Sequence, residues 1–246
     1  MLSSPRSDLK VVCVGQPKTG TTSINKLLEI LGIKTVSNPY VLDEMTSELL
    51  LDNDTMFDML NDSVDDLSDI CDSFQGFSDL PYSFMSRWFI EKYPSTKFIL
   101  TMRDSSTWFR SISTYMKIPH SCSLGIMESL YGSKTPDPTL YPRMFDYYNQ
   151  DIMDYFKKIN KEDQLLVINL FENDNELGRI LEFLGFDEDA VSTMPHENPG
   201  RYEELASEQD PSHIVPRHST PGTDALHEDG GLATGVLLAS MPHQPF

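Results

Sequence analysis

An α/β fold is predicted for this chain: three layers, with a mainly parallel sheet flanked by helices. Three observations predict it. Residues 9–14, 97–102 and 164–170 are short, almost continuous apolar runs, as expected of strands buried on both faces. Each run is followed by apolar residues at helical spacing, such as Ile24, Leu27, Leu28 and Leu31 after the first. Strands that alternate with helices in this way pair in parallel, because each crossover helix returns the chain to the same end of the sheet.

The first run leads into the most informative stretch, Gly15-Gln16-Pro17-Lys18-Thr19-Gly20-Thr21-Thr22-Ser23. It reads as a tight loop and the start of a helix. Free backbone N–H groups and the positive end of the helix dipole make such a junction an anion site. Lys18 adds a full charge, and Thr21, Thr22 and Ser23 add hydroxyls. Gly15 and Gly20 have the separation of the nucleotide-triphosphate loop, G-x-x-x-x-G-K-[ST]. Thr21 stands at that motif's lysine position, so a standard ATPase or GTPase is disfavoured. The alternative is a glycine-containing turn without a ligand.

In the next helix Leu31 is the last apolar position and Gly32 the stop; 33–36 reads as a short strand, broken by Asn38-Pro39. Between Thr35 and Ser86 there is no lysine or arginine, and acids alternate with apolar residues. Two or three short amphipathic helices with acidic outer faces are expected there. They form either a solvated surface or an acidic mouth that selects a cationic or neutral binding partner. Asp79 lies in a loop, and Pro81 is placed for the first turn of a helix carrying Phe84, Trp88, Phe89 and Ile90. Asp79 therefore reads locally as a helix cap or turn residue.

The run at 97–102 ends in Arg103-Asp104, and a helix with Trp108, Ile112, Tyr115 and Met116 follows. Ligands of open α/β sheets bind beyond the carboxyl ends of the strands, so Arg103 and the Lys18 loop face one crevice. Ser111, eight positions after Arg103, supplies a hydroxyl that suits a second phosphate. The alternative is a salt-bridged Arg103 and a solvent-facing Ser111. Residues 118–138 read as a Pro/Ser/Gly-rich connection able to hold a lid. A long helix over 140–160 and a last helix ended by Gly185 complete the pattern. One domain is expected over 1–205, with a disordered tail over 206–246.

Composition narrows the function classes. The chain has 246 residues, 39% hydrophobic, enough for a core, and a formal net charge of −19. Such a surface repels nucleic acid and anionic lipid, so an anion must bind at a local basic site. The three cysteines, Cys13, Cys71 and Cys122, form no C-x-x-C pair. Reduced thiols, an intracellular setting and no zinc site are expected. No signal core or membrane span is read, and a cytoplasmic location is expected.

Pro17-Lys18-Thr19-Gly20-Thr21-Thr22-Ser23 after a strand resembles the 5′-phosphosulfate loop of sulfotransferases. Arg103-Asp104 followed by Ser111 resembles their 3′-phosphate motif, with the same Arg–Ser spacing. Ser78-Asp79-Leu80-Pro81, Tyr93-Pro94, Thr101-Met102-Arg103-Asp104 with Trp108, and Pro195-His196-Glu197-Asn198 resemble a subgroup with an Asp-x-Pro segment. The resemblance spans roughly residues 9–200. It implies a P-loop NTPase-like sulfotransferase fold and the co-substrate 3′-phosphoadenosine 5′-phosphosulfate (PAPS), without a metal. Pro17, Lys18, Thr19, Gly20, Thr21, Thr22, Ser23, Arg103 and Ser111 would bind the donor. Lys18 would stabilise the leaving group and Asp79 would be the general base, with His120 and His196 as weaker candidates. The acceptor would be a hydroxyl or amine of a small molecule or glycan. A P-loop small-molecule kinase and a catalytically silent nucleotide-binding scaffold are the competing readings.

Overall fold

A computed structural model describes residues 9–37, 68–117, 124–172 and 175–196. The acidic stretch at 38–67, His120, Cys122, the 205/206 boundary and the tail lie outside the described residues. The strands are β1 (Val11–Cys13), β2 (Thr35–Ser37), β3 (Gly76–Ser78), β4 (Lys97–Thr101) and β5 (Leu165–Ile168). They form one five-stranded sheet in the order β2-β3-β1-β4-β5, and every pair is parallel. In register, Val11 lies between Gly76 and Lys97, so β1 is central.

Helices cover both faces, as the α/β prediction requires. On one face lie α1 (Thr21–Ile30) and, later in the chain, a helix over Glu176–Leu184. Ile24, Leu27 and Leu28 of α1 pack with Val11, Cys13 and Ile99. Each such buried aliphatic side chain contributes about 2 kcal/mol of transfer free energy. On the other face, Phe89 and the helix over Leu140–Lys158 cover Val12, Phe77, Phe98 and Leu100. Alternate residues of β1 thus enter opposite cores, as the strand period of two dictates.

In chain order the remaining helices are α2 (Ser68–Ser73), α3 (Ser86–Lys92), α4 (Ser105–Tyr115) and α5 (Leu124–Tyr131), followed by α6 (Leu140–Lys158) and α7 (Glu176–Leu184). Lys10 Nζ donates to the carbonyls of Cys71 (2.6 Å) and Phe74 (2.5 Å), tying the end of α2 to the start of β1. A third apolar cluster joins Trp108 and Ile112 of α4, Met127 and Tyr131 of α5, and Tyr141 and Phe145 of α6.

Three boundaries differ from the sequence expectation. The connection over 118–138 contains α5, because Met127, Leu130 and Tyr131 share one helical face that packs on Trp108 and Phe145. Pro81 precedes a 3₁₀ turn over Tyr82–Phe84, and α3 starts only at Ser86. The second strand begins at Thr35 rather than Ile33, because Gln75 and Gly76 both donate to the Lys34 carbonyl before pairing starts.

Candidate functional site at the carboxyl edge of the sheet

Because all strands are parallel, their carboxyl ends share one edge. Along it lie the loop after β1 (residues 14–20), Asp79 after β3, Arg103 after β4 and Asn169–Phe171 after β5. The connections from β1 and β4 run to opposite sides of the sheet, which makes the gap between these strands the switch point where ligands bind.

The loop after β1 is built without room for extra atoms. A Cβ on Gly15 would lie 1.8 Å from Thr101 Oγ1, and one on Gly20 would lie 2.8 Å from Leu170 Cδ1. Gly20, the residue before α1, is left-handed (φ 96°), and Lys18 is also left-handed at φ 73°. Side chains of L-residues rarely accept that conformation. Bonds from outside hold it at Lys18. Thr19 Oγ1 donates to the Gln16 carbonyl (2.6 Å) and meets Thr101 Oγ1 (2.6 Å). Trp108 Nε1 donates to the Pro17 carbonyl (2.9 Å), and the Arg103 guanidinium donates to the Lys18 carbonyl (3.3 Å). Tyr131 Oη donates to Gln16 Oε1 (2.7 Å), anchoring the loop to α5.

Each cationic side chain lies over an aromatic ring. Lys18 Nζ sits 4.6 Å from the centroid of the Tyr115 ring, and the Arg103 guanidinium 4.3 Å from that of Phe171. Such placements favour the cations by about 0.5–1 kcal/mol at exposed sites. Among the described residues no carboxylate forms an ion pair with Arg103. Thr21 is buried at the first turn of α1 and donates to Asp79 Oδ1 (3.3 Å). Ser23 is buried and Thr22 is exposed. Ser111 lies on α4 three positions after Trp108 and four before Tyr115, which both touch the loop; its side chain is therefore on the loop-facing side of that helix. His196 is exposed near the end of the described residues.

Asp79 is half-buried and also left-handed (φ 61°), ahead of the cis Leu80-Pro81 peptide. Its carboxylate bonds to Thr21 of the anion loop, and its backbone carbonyl accepts from Ser83 N (2.9 Å). The side-chain cap expected from local pattern is thus not its role. Desolvation pushes its pKa above the usual carboxylate range; the Thr21 hydrogen bond and the Lys18 charge oppose this without cancelling it. By contrast Asp104 is the N-cap of α4, accepting from Thr107 N (2.9 Å), and its pKa is lowered by Ser106 and the Thr107 amide. The Cys13 thiol is buried under the loop with its pKa raised to about 12, so it is a packing residue.

Several residues of this constellation escape sequence reading. Thr101 reads as part of an apolar strand, although a lone hydroxyl at its end was a usable signal. Trp108 reads as part of an apolar helix face and Tyr131 falls within the 118–138 connection, yet each carries a donor that must find a partner when buried. Among the described residues no group of acids, histidines and cysteines suits a metal ion, and no helix there is long and apolar enough to cross a membrane.

Fold and site together define a parallel α/β protein with a lysine-bearing strand–loop–helix junction after β1 and an arginine at the neighbouring strand end. Residues 10–126 match a family model described as a sulfotransferase domain, and the matched segment includes the Lys18 loop, Asp79, Arg103 and Ser111. The match is to the family, not to a subgroup with the Asp-x-Pro segment. A crystal structure of a sulfotransferase from Alicyclobacillus acidocaldarius is similar at 18% identity and a TM-score of 0.46, over 80% of this chain and 89% of that one. No curated protein matches the chain.

Proposed function

We propose that the protein transfers a sulfuryl group from PAPS to a hydroxyl or amine of a small-molecule or glycan acceptor. The observation that carries this reading is the contact between the two cationic strand ends, with Arg103 donating to the Lys18 carbonyl. It brings the Arg103 guanidinium to the backbone of the Lys18 loop, which supports a donor with phosphate groups at both ends of its ribose. The cradle fits the phosphosulfate: it offers Lys18, the Thr21 and Thr22 hydroxyls and the N–H groups at the start of α1. The space its glycines leave is filled by Thr101 and Leu170. Arg103 and Ser111 serve the 3′-phosphate.

In the transfer, the acceptor oxygen or nitrogen forms a bond to sulfur as the bond from sulfur to the 5′-phosphate oxygen breaks. The electron pair of that bond stays on the phosphate oxygen. Lys18 and the loop N–H groups stabilise the charge that grows there. The acceptor's proton passes to Asp79, whose raised pKa makes it a stronger base than an ordinary carboxylate. Thr21 holds the carboxylate beside the loop.

Calorimetric titration with adenosine 3′,5′-bisphosphate tests the reading directly. Binding at least tenfold tighter than that of ATP with Mg²⁺ is expected. Preference for ATP with Mg²⁺ would sink it in favour of a kinase. A bisphosphate-binding protein that sulfates no member of a broad acceptor panel would be a silent binding scaffold.

A further inference from the structure

We infer that Trp108 is a positioning residue of the donor site, acting through the peptide that joins Pro17 to Lys18; this rests on the proposed donor reading. A trans peptide is planar, and its C=O and N–H point in opposite directions. The Trp108 indole comes from α4, outside the loop, and its Nε1–H donates to the Pro17 carbonyl at 2.9 Å. With that carbonyl held by the indole, the Lys18 N–H points the opposite way, away from Trp108. The next peptide is held the same way, because the Lys18 carbonyl accepts from Arg103 at 3.3 Å. The two peptides that flank the left-handed Lys18 are thus both fixed by side chains from the β4–α4 segment, and peptides fixed around a left-handed residue are a setting in which successive N–H groups can receive an anion.

The indole is suited to this task because it cannot turn away. Trp108 is fully buried, its ring is stacked on Phe145 with centroids 4.2 Å apart and planes at 19°, and Tyr131 packs against it at 5.4 Å. Tyr131 in turn holds the Gln16 side chain. A phenylalanine at 108 would keep an aromatic ring against Phe145, at the cost of a smaller ring in a buried site, but would supply no donor to the Pro17 carbonyl. The bond matters because Lys18 sits in a conformation that an L-residue leaves unless it is held.

Trp108→Phe tests the assignment, since it keeps a ring and removes the N–H. Adenosine 3′,5′-bisphosphate is expected to bind the folded variant about tenfold more weakly than the wild type, the factor that about 1.4 kcal/mol produces. A merely structural role would lower the melting temperature and leave this affinity unchanged, and that result would overturn the assignment. The wild-type protein supplies a second reading that needs no folded Trp108 variant. The chain has two tryptophans, and Trp88→Phe identifies their indole N–H signals in a nitrogen-15 spectrum. If the indole bond favours binding, binding must favour the bond, by thermodynamic reciprocity. Saturating bisphosphate should then slow hydrogen exchange of the Trp108 indole at least fivefold and leave that of Trp88 unchanged. An unprotected Trp108 indole in a saturated protein would overturn the assignment alone. A wild-type protein that does not bind the bisphosphate would overturn the donor reading and this assignment with it.

Discussion

Asp79 carries two opposed demands. Its burial beside Thr21 raises its pKa, which suits a base but destabilises the fold once the group ionises. The sign follows from proton linkage. Between the ordinary carboxylate range and its raised folded value, the native state holds a proton that the unfolded chain has lost. Stability therefore falls as pH rises through that interval, and the cost is fully present above it. Asp79→Asn removes both the proposed base and the ionisation. Asparagine also tolerates the left-handed backbone at this position. The variant is expected to lose about 10²–10⁴-fold in turnover and to keep its bisphosphate affinity within about threefold. Its melting temperature should rise above that of the wild type at neutral pH, by an amount that shrinks as the pH is lowered toward the ordinary carboxylate range. Unchanged turnover would remove Asp79 from the chemistry. A lower melting temperature at neutral pH would show that the ionised carboxylate stabilises the fold.

At the scale of elements, α6 ties the end of β1 to the segment that follows β3. Tyr148 Oη lies 2.8 Å from the Val14 carbonyl and 2.7 Å from the Ser83 carbonyl, so one buried hydroxyl bridges the end of β1 and the segment after Asp79. Tyr148→Phe leaves those carbonyls without this donor, at a cost of about 1–3 kcal/mol. Scanning calorimetry should show a drop of several degrees, since about 1 kcal/mol shifts a domain of this size by roughly 2–4 °C; no drop would mean that the bridge contributes nothing net. This bond marks the limit of what the sequence reveals. The periodicity of Phe145, Tyr148, Ile152 and Phe156 placed α6 correctly, because period depends only on spacing. Which carbonyls Tyr148 reaches depends on residues 134 and 65 positions away in sequence. The Lys18 loop, Arg103 and the alternating elements were legible for the same local reason. Helix α5 was missed because Ser, Gly and Pro around it masked a short apolar face that is satisfied only by Trp108 and Phe145. The contact of Asp79 with Thr21 crosses from β3 to β1, and no local pattern encodes it.

For the whole molecule, the local and global charges act in opposite directions on an anionic donor. The chain has a formal net charge of −19, whereas the crevice holds Lys18 and Arg103 at adjacent strand ends. At long range the donor meets a repulsive field; only within a few ångströms do the two cations and the α1 N-terminus dominate. Salt separates these ranges. Raising ionic strength from about 10 to 100 mM shortens the screening length from about 30 to 10 Å. That change removes most of the long-range repulsion and leaves partly buried contacts less affected. The association rate of adenosine 3′,5′-bisphosphate, followed by stopped-flow tryptophan fluorescence, is therefore expected to rise over this interval. Dissociation, governed by the contacts themselves, should change less. An association rate that falls steadily from the lowest salt would mean that Lys18 and Arg103 project a field beyond the crevice strong enough to outweigh the acidic surface.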